Sequence, residues 1–354
     1  MLHRSIFVIG IFLFAAGCSS LNKASTKTTA LPELKFAVEA APEWTDLFNR
    51  KSGWFGADGI FSFSLDGDEQ PRNDPNREVM LIFSDTFIGE VEEGKPAEGY
   101  KMVNNSVAYL TGQSPHPDSI HFFYKQDEEG QPQTFFVPHN ENAREGQYYW
   151  LGDGFVNKEK DNTLYLFAYH IEMTGPNVFD FIEPNVSLLA IPAGSRPPFE
   201  GQRQLTTPLH VKNERLGEGN MGAGILVNTN WAGAPHPDGY VYVYGCIGQD
   251  KNLIAARVKP KDFENFNRWR YWNGEKWVRD ENEMKPVTNA VSNELSVTPL
   301  ADGRYLLVFQ VLGISEKVGL RVGESPVGPF GPIQEILDSM SSRSGFQPLD
   351  SSHL

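Results

Sequence analysis

"GADGIFSFSLDG", Gly56 to Gly67, followed by "EVMLIFSDTFIG", Glu78 to Gly89, decides how this chain folds. The first stretch sets an acid between small residues, then an alternating apolar strand, then an Asp-Gly turn. The second supplies an apolar partner strand. Turn residues of this kind between two such runs are a hairpin signal. The same order returns three times. "LGDGFVNKEKDN", Leu151 to Asn162, precedes "TLYLFAYHIE"; "MGAGILVNTNWAGAPHPDG", Met221 to Gly239, precedes "YVYVYGCIG"; "SNELSVTPLADG", Ser292 to Gly303, precedes "RYLLVFQVLG". Alignment of the copies puts Asp58, Asp153, Ala223 and Glu294 in one column, 95, 70 and 71 residues apart. Two further strand candidates follow each pair, "NLIAARV" and "RWRYWNGEKWV" in the third copy and "VGLRVGES" and "GPFGPIQEI" in the fourth. Four strands per unit at this period read as β-propeller blades. A β-sandwich would need the same order of strands and turns to arise four times by chance.

Composition agrees. The chain has 24 Phe, 12 Tyr, 33 Gly and 24 Pro, which suits many aromatic strands joined by many turns. Helical periodicity is nowhere sustained; Asp262 to Trp269 offers one turn. The expected fold class is all-β. A net charge of −14 excludes nucleic acid as a partner and an electrostatic hold on anionic lipid. Cys246 has no disulfide partner in the folded part and reads as a small buried hydrophobe. Phosphate-binding loops, nucleotide fingerprints and serine elbows do not occur. The histidines of "PHPDS" at 115–119 and "PHPDG" at 235–239 lack metal-ligand companions. No loop has calcium-binding spacing, so no cofactor is expected; the acid-rich channel is the one place where a cation such as calcium would sit.

The first strand of each propeller blade lines the central channel. Asp58, Asp153 and Glu294 therefore stand at corresponding ends of innermost strands, facing one cavity. Two carboxyl groups flanking a sugar bond suffice for glycoside hydrolysis: one gives a proton to the leaving oxygen, the other activates water or attacks the anomeric carbon. A third carboxylate raises the acid's pKa by like-charge repulsion. The competing reading is that acids at strand starts bond turn N–H groups. Trp54, Phe55, Trp150 and Trp231 are candidate platforms for sugar faces. Asn105, His170, Asn293 and Arg321 are candidate hydroxyl ligands.

This trio resembles that of the five-bladed propeller glycosidases of the arabinanase, xylosidase and fructosidase type. The resemblance implies that Asp58 is the base, Asp153 the residue that tunes the acid, and Glu294 the acid. "GESPVGPFGP", Gly323 to Pro332, is similar to a strand-end turn of those propellers. "GADGIF" with "LIFSDTFIG" is similar to the first blade of uncharacterised-domain groups, one of which includes endo-D-arabinanases. That likeness implies a furanosidic substrate and brings forward Asp85, although Ser84 stands where those groups carry glycine. Two catalytic pairings follow: Asp58 with Glu294 across the channel, or Asp58 with Asp85 within blade 1. The five-bladed parent also implies one more blade than the four copies supply. Either the propeller has four blades or it is a five-bladed one whose C-terminal blade is truncated; the second is the expected case, with Glu33 to Trp44 available to add one strand to a closing blade.

The N-terminus sets the expected compartment. Met1 to Arg4 is a short basic region, Ile6 to Phe14 an apolar run, and "LFAAGC" resembles the bacterial lipobox, with Cys18 as the lipidated residue. Ser19 after the cysteine favours the outer membrane by the family rule. The organisation read from the sequence is a lipoprotein signal peptide at 1–17, a flexible tether at 18–31, a propeller at 32–338 and an irregular tail at 339–354. The expected protein is a lipid-anchored glycoside hydrolase of the bacterial cell envelope, acting on a polysaccharide or oligosaccharide. The alternatives are a non-catalytic glycan-binding lipoprotein and a propeller scaffold for protein docking.

Overall fold

A computed structural model describes residues 34–338. The expected signal peptide, Cys18, the tether and the tail lie outside the described residues. Four antiparallel sheets follow one another along the chain. Blade 1 pairs Phe61–Ser64, Glu78–Phe83, Ser106–Thr111 and Ile120–Phe123 in that order. Blade 2 pairs Tyr148–Asn157, Thr163–Met173, Val186–Ile191 and Arg203–Thr206. Blade 3 is built on Gly217–Asn228, Tyr240–Ile247, Asn252–Val258 and Arg270–Trp272, with short strands His210–Asn213 and Trp277–Val278 at its two edges. Blade 4 pairs Leu295–Pro299, Tyr305–Gln310, Lys317–Gly323 and Gln334–Asp338. The four sequence copies are these four blades. Their first long strands pack side by side in chain order, from Phe61–Ser64 to Tyr148–Asn157 to Gly217–Asn228 to Leu295–Pro299.

Period-2 alternation explains the layering. In blade 2, Leu164, Leu166 and Ala168 face blade 1, while Tyr165, Phe167, Tyr169 and Ile171 face blade 3. In blade 3, Val241 and Val243 face blade 2, while Tyr242, Tyr244 and Cys246 face blade 4. The central blades are buried on both faces, so their middle strands read as continuous apolar runs rather than as simple alternation.

Blade 1 solves the problem of its outer face in a way the sequence reading missed. After Phe83 the chain leaves blade 1 at Ser84-Asp85 and enters a second sheet, in which Ser52–Ala57 pairs with Thr86–Glu92 and Thr86–Glu92 with Lys101–Val103. This covering sheet packs Trp54, Ile88 and Val103 on Leu81, Phe83 and Ala108 of blade 1. Leu47, just past the short helix Pro42–Thr45, completes the cluster. Glu33 to Trp44 was expected to supply a strand; Leu34 to Ala41 has no regular structure and the helix begins at Pro42, where proline is at home in a first turn. The outward face of blade 4 is different: Ser296, Thr298 and Gln310 are exposed and Leu306 and Val308 half-buried.

The loop between the first two strands of blade 1 reaches across the far ends of the neighbouring innermost strands. Gly67 lies against Val156 and Lys158 of blade 2, and the Glu69 N–H donates to the Ala232 carbonyl of blade 3 at 3.0 Å. Arg77, 8% exposed, staples this loop. Its guanidinium donates to Ser64 Oγ at 2.6 Å, to the Gln70 carbonyl at 2.6 Å and to the Asp68 carbonyl. The loop carries Glu69 to a position where the residue stays exposed to solvent while protein surrounds its carboxyl. Its carboxyl is pushed up to about 8 by enclosure first, then by Asp153, Asp66 and Asp68, against the pull of Arg77.

A raised carboxyl binds its proton more tightly in the folded chain than in the unfolded one. Its stabilising contribution is complete below the ordinary value of 4.5 and is lost as pH rises towards about 8. Glu69→Gln removes that loss. The variant is expected to melt about 2–4 °C above the wild type at pH 8.5 and close to it at pH 5, as read by circular dichroism melts across the range. A gap that is constant with pH would contradict the account.

Candidate active site at the propeller mouth

The innermost strands approach one another closely at the end where the sequence copies begin. A Cβ on Gly152 would lie 2.7 Å from the Gly222 carbonyl oxygen and 2.7 Å from the Tyr169 hydroxyl. One on Gly224 would lie 2.7 Å from the Leu295 carbonyl oxygen. Only glycine fits such an approach. In both blades the strand bulges here, between Leu151 and Gly154 and between Met221 and Gly224. A bulge re-aims its extra residue, and the residues in question are Asp153 and Ala223. The "GDG" and "GAG" motifs are thus the imprint of strand crowding at the mouth.

Blade 1 presents two acids on paired backbone. The Asp58 N–H donates to the Asp85 carbonyl at 2.8 Å, and the Ser84 N–H donates to the Asp58 carbonyl at 2.9 Å. Asp58 is exposed, and one of its carboxylate oxygens accepts the Gly59 N–H at 2.9 Å. Asp85 is half-buried and accepts from Asn104 Nδ2 at 3.4 Å. Its pKa is raised, chiefly by burial and further by Asp58, while Trp150 and Asn104 oppose the shift. Ser84 has a purpose of its own: its hydroxyl accepts the Leu151 N–H of blade 2 at 2.9 Å. It also lies against Gly59, whose φ of +63° suits glycine.

Glu294, from blade 4, also reaches the mouth. Its carboxyl is pushed up to about 7, by burial first and by Asp58 second, although the residue as a whole is accessible to solvent. Asp58 therefore bears on acids from two directions. Asp153 does not play the part expected of it. Its oxygens accept the Gly154 N–H at 2.8 Å and the Ile225 N–H at 2.7 Å, which ties blade 2 to blade 3. Burial pushes it up to about 7 in spite of those bonds. The groups that raise Glu294 do not include it, whereas it does raise Glu69. The neighbour that tunes Glu294 is Asp58.

Several expected sugar contacts belong to the framework instead. Trp54 is 3% exposed, stacks on Phe122 at 4.3 Å and donates to Ser106 Oγ at 3.3 Å, so it is core. Asn105 is fully buried and spans blades 1 and 2 through the Phe136 and Tyr149 carbonyls and the Phe136 N–H. His170 is fully buried between Gln147 and Ser187, and burial lowers it to about 4. Arg321 is spent on the Gly331 carbonyl at 2.7 Å and on Asn289. Trp231 follows the far end of its strand, beside Lys158 and Glu159. Phe55 lies on the outward side of the covering sheet with Phe87 and Tyr100.

Trp150 and Asn293 do lie near the acids. Trp150 stands beside Asp85 and meets Phe181 edge-on at 4.9 Å. Asn293 precedes Glu294 and lines a cavity of about 260 Å³ between blades 2, 3 and 4. That cavity holds residues the sequence reading missed: Tyr169, Glu183, His210, Asn220 and Lys251. Cys246 is on its wall, with the thiol pushed up to about 11 by burial, which fits an inert side chain. Asn220 Nδ2 donates to Glu183, and His210 Nδ1 pairs with Asn220 Oδ1 at 2.8 Å. His210 Nε2 is buried without a hydrogen-bond partner. Lys251 donates to Asn293 Oδ1 at 3.3 Å. Among the described residues no three His, Cys, Asp or Glu side chains converge as a metal cluster.

A Bacteroides ovatus protein described as a "putative hydrolase" has a similar solved structure, with a TM-score of 0.60 and 15% identity over 84% of this chain and 73% of that one. This likeness shows a shared fold. Weaker likenesses are to a Phanerochaete chrysosporium exo-β-1,3-galactanase solved with β-1,3-galactotriose and to a Xanthomonas citri GH43_1 enzyme solved with xylotriose. The first has a TM-score of 0.42 and 8% identity, over 81% of this chain and 54% of that one. The second has a TM-score of 0.41 and 13% identity, over 84% and 80%. No curated protein matches the sequence. Residues 42–342 match the family described as "Domain of unknown function (DUF5005)", and the chain belongs to that family.

Proposed function

We propose that this protein is a glycoside hydrolase whose reacting groups are Glu294 and Asp58. One observation carries the reading. Glu294 is held up to about 7, in part by Asp58, at the shared mouth of the four innermost strands. A carboxyl that keeps its proton near neutrality, beside a solvent-open carboxylate, is the pairing that acid and base roles demand. Glu294 gives its proton to the leaving oxygen as the glycosidic bond breaks. Asp58 takes a proton from the attacking water or forms the bond to the anomeric carbon itself. Asp85 supports Asp58 through the paired backbone. Trp150 offers a half-buried ring at the same edge. The likeness of "GADGIF" and "LIFSDTFIG" to endo-D-arabinanase-related groups supports a furanosidic glycan as substrate. The lipobox supports anchoring through Cys18 at the bacterial outer membrane.

Hydrolysis across a panel of arabinans, xylans, galactans and bacterial glycans tests the reading. Activity is expected to fall as pH rises through about 7, because the acid must be protonated. Asp58→Asn and Glu294→Gln are each expected to cost about 100- to 10,000-fold. Glu294→Gln should recover most activity on an aryl glycoside whose leaving group needs no proton. Full activity in Asp58→Asn would remove the proposed base, and activity rising above pH 7 would remove the proposed acid. The anchor has its own readout: Cys18→Ser is expected to move the protein from the membrane to the soluble fraction, and an unchanged distribution would contradict lipidation.

A further inference from the structure

The third sequence copy departs from its siblings. Where blades 1, 2 and 4 begin with Asp58, Asp153 and Glu294, blade 3 begins with Ala223. Its methyl group lines the 260 Å³ cavity into which a carboxylate would otherwise project. A carboxylate arrives there by another route. Glu183 follows the short strand Phe181–Ile182, which pairs with the end of Thr163–Met173, and its side chain enters the cavity wall. Asn220 donates to one of its oxygens, and His210 pairs with that amide. The relay fixes the carboxyl and leaves its second oxygen for something else.

The charge on the walls narrows what that something is. Glu183 and Glu218 oppose an anion. Lys251 opposes a small cation, and its ammonium favours the ionised form of Glu183 against burial. The polar groups that remain are hydrogen-bonding pairs rather than a charged clamp. Phe181 and Tyr169 add apolar wall. A volume of about 260 Å³ has room for one sugar ring. Asn293 connects the cavity to Glu294 next to it in sequence, and Tyr169 lies within electrostatic reach of Glu183, Asp153 and Glu294 together.

We propose that this cavity is a subsite for a single neutral sugar ring, with Glu183, Lys251 and Asn293 bonding its hydroxyls and Phe181 against its apolar side. The assignment rests on the glycoside-hydrolase reading of the mouth, which it deepens by placing one unit of the substrate between blades 2 and 3.

The test is calorimetric titration of the full chain carrying Asp58→Asn with D-xylose, L-arabinose and D-galactose, repeated with Glu183→Gln or Ala223→Leu added. At least one sugar is expected to bind, and each added substitution to weaken it tenfold or more. Near-ultraviolet circular dichroism checks the fold, and Glu183→Gln decides the matter if Ala223→Leu does not fold. No binding by any of the three sugars, or binding that ignores Glu183→Gln, overturns the subsite. Hydrolysis by the wild type is scored separately. Glu183-dependent binding without hydrolysis would sink the hydrolase reading and leave the subsite. Hydrolysis with Glu183-independent binding would do the reverse.

Discussion

Crowding of the innermost strands at one end of the ring is the constraint from which the rest follows. Strands Tyr148–Asn157 and Gly217–Asn228 come so close that Gly152 has no room for a side chain beside the Gly222 carbonyl. Glycine relieves the clash, and the chain answers with a bulge in each strand. The bulge in blade 2 turns Asp153 onto the Ile225 N–H and locks the two blades together. Ser84 makes the corresponding link between blades 1 and 2. The same end of these strands is where Asp58, Asp85 and Glu294 collect, so the feature that ties neighbouring blades together also gathers acids.

That concentration divides the acids into two groups with different physics. Asp153 raises the cost of ionising Glu69 within the frame, and two backbone N–H groups compensate Asp153 in part. Asp58, Asp85 and Glu294 face outward and lack such full compensation. A carboxylate with both oxygens on backbone donors, as in Asp153, has little left for a substrate; Asp58, with one oxygen on the Gly59 N–H, keeps acceptor capacity. This difference in hydrogen bonding, rather than position in the repeat, separates frame from site.

Much of the fold was legible in the sequence because the repeat is written in turn chemistry and period-2 alternation, both local. Blades 1 to 4 emerge from the "GADG", "LGDG", "MGAG" and "SNEL" starts and their partner strands. The covering sheet was not legible. Thr86 to Glu92 continues directly from the strand ending at Phe83, and only packing against blade 1 shows that the chain has changed sheets. At the candidate site, Asp58 and Glu294 were legible as a column in the repeat, while the commitment of Asp153 to the Gly154 and Ile225 N–H groups was not, because hydrogen-bond partners are not encoded in spacing. Trp54, Asn105 and His170 looked like ligands by residue type and are satisfied core groups. Glu183 and His210 lie outside the repeated column. One signal did point to their cavity: the break in that column at Ala223.

The central claim is that Asp58 and Glu294 are coupled across the mouth. Carbon-13 NMR titration of the Glu294 side-chain carboxyl, in the wild type and in Asp58→Asn, measures it most directly. The account predicts a midpoint near 7 that falls part of the way when Asp58 loses its charge, the rest of the rise being due to burial. A midpoint that is the same in both proteins would contradict it.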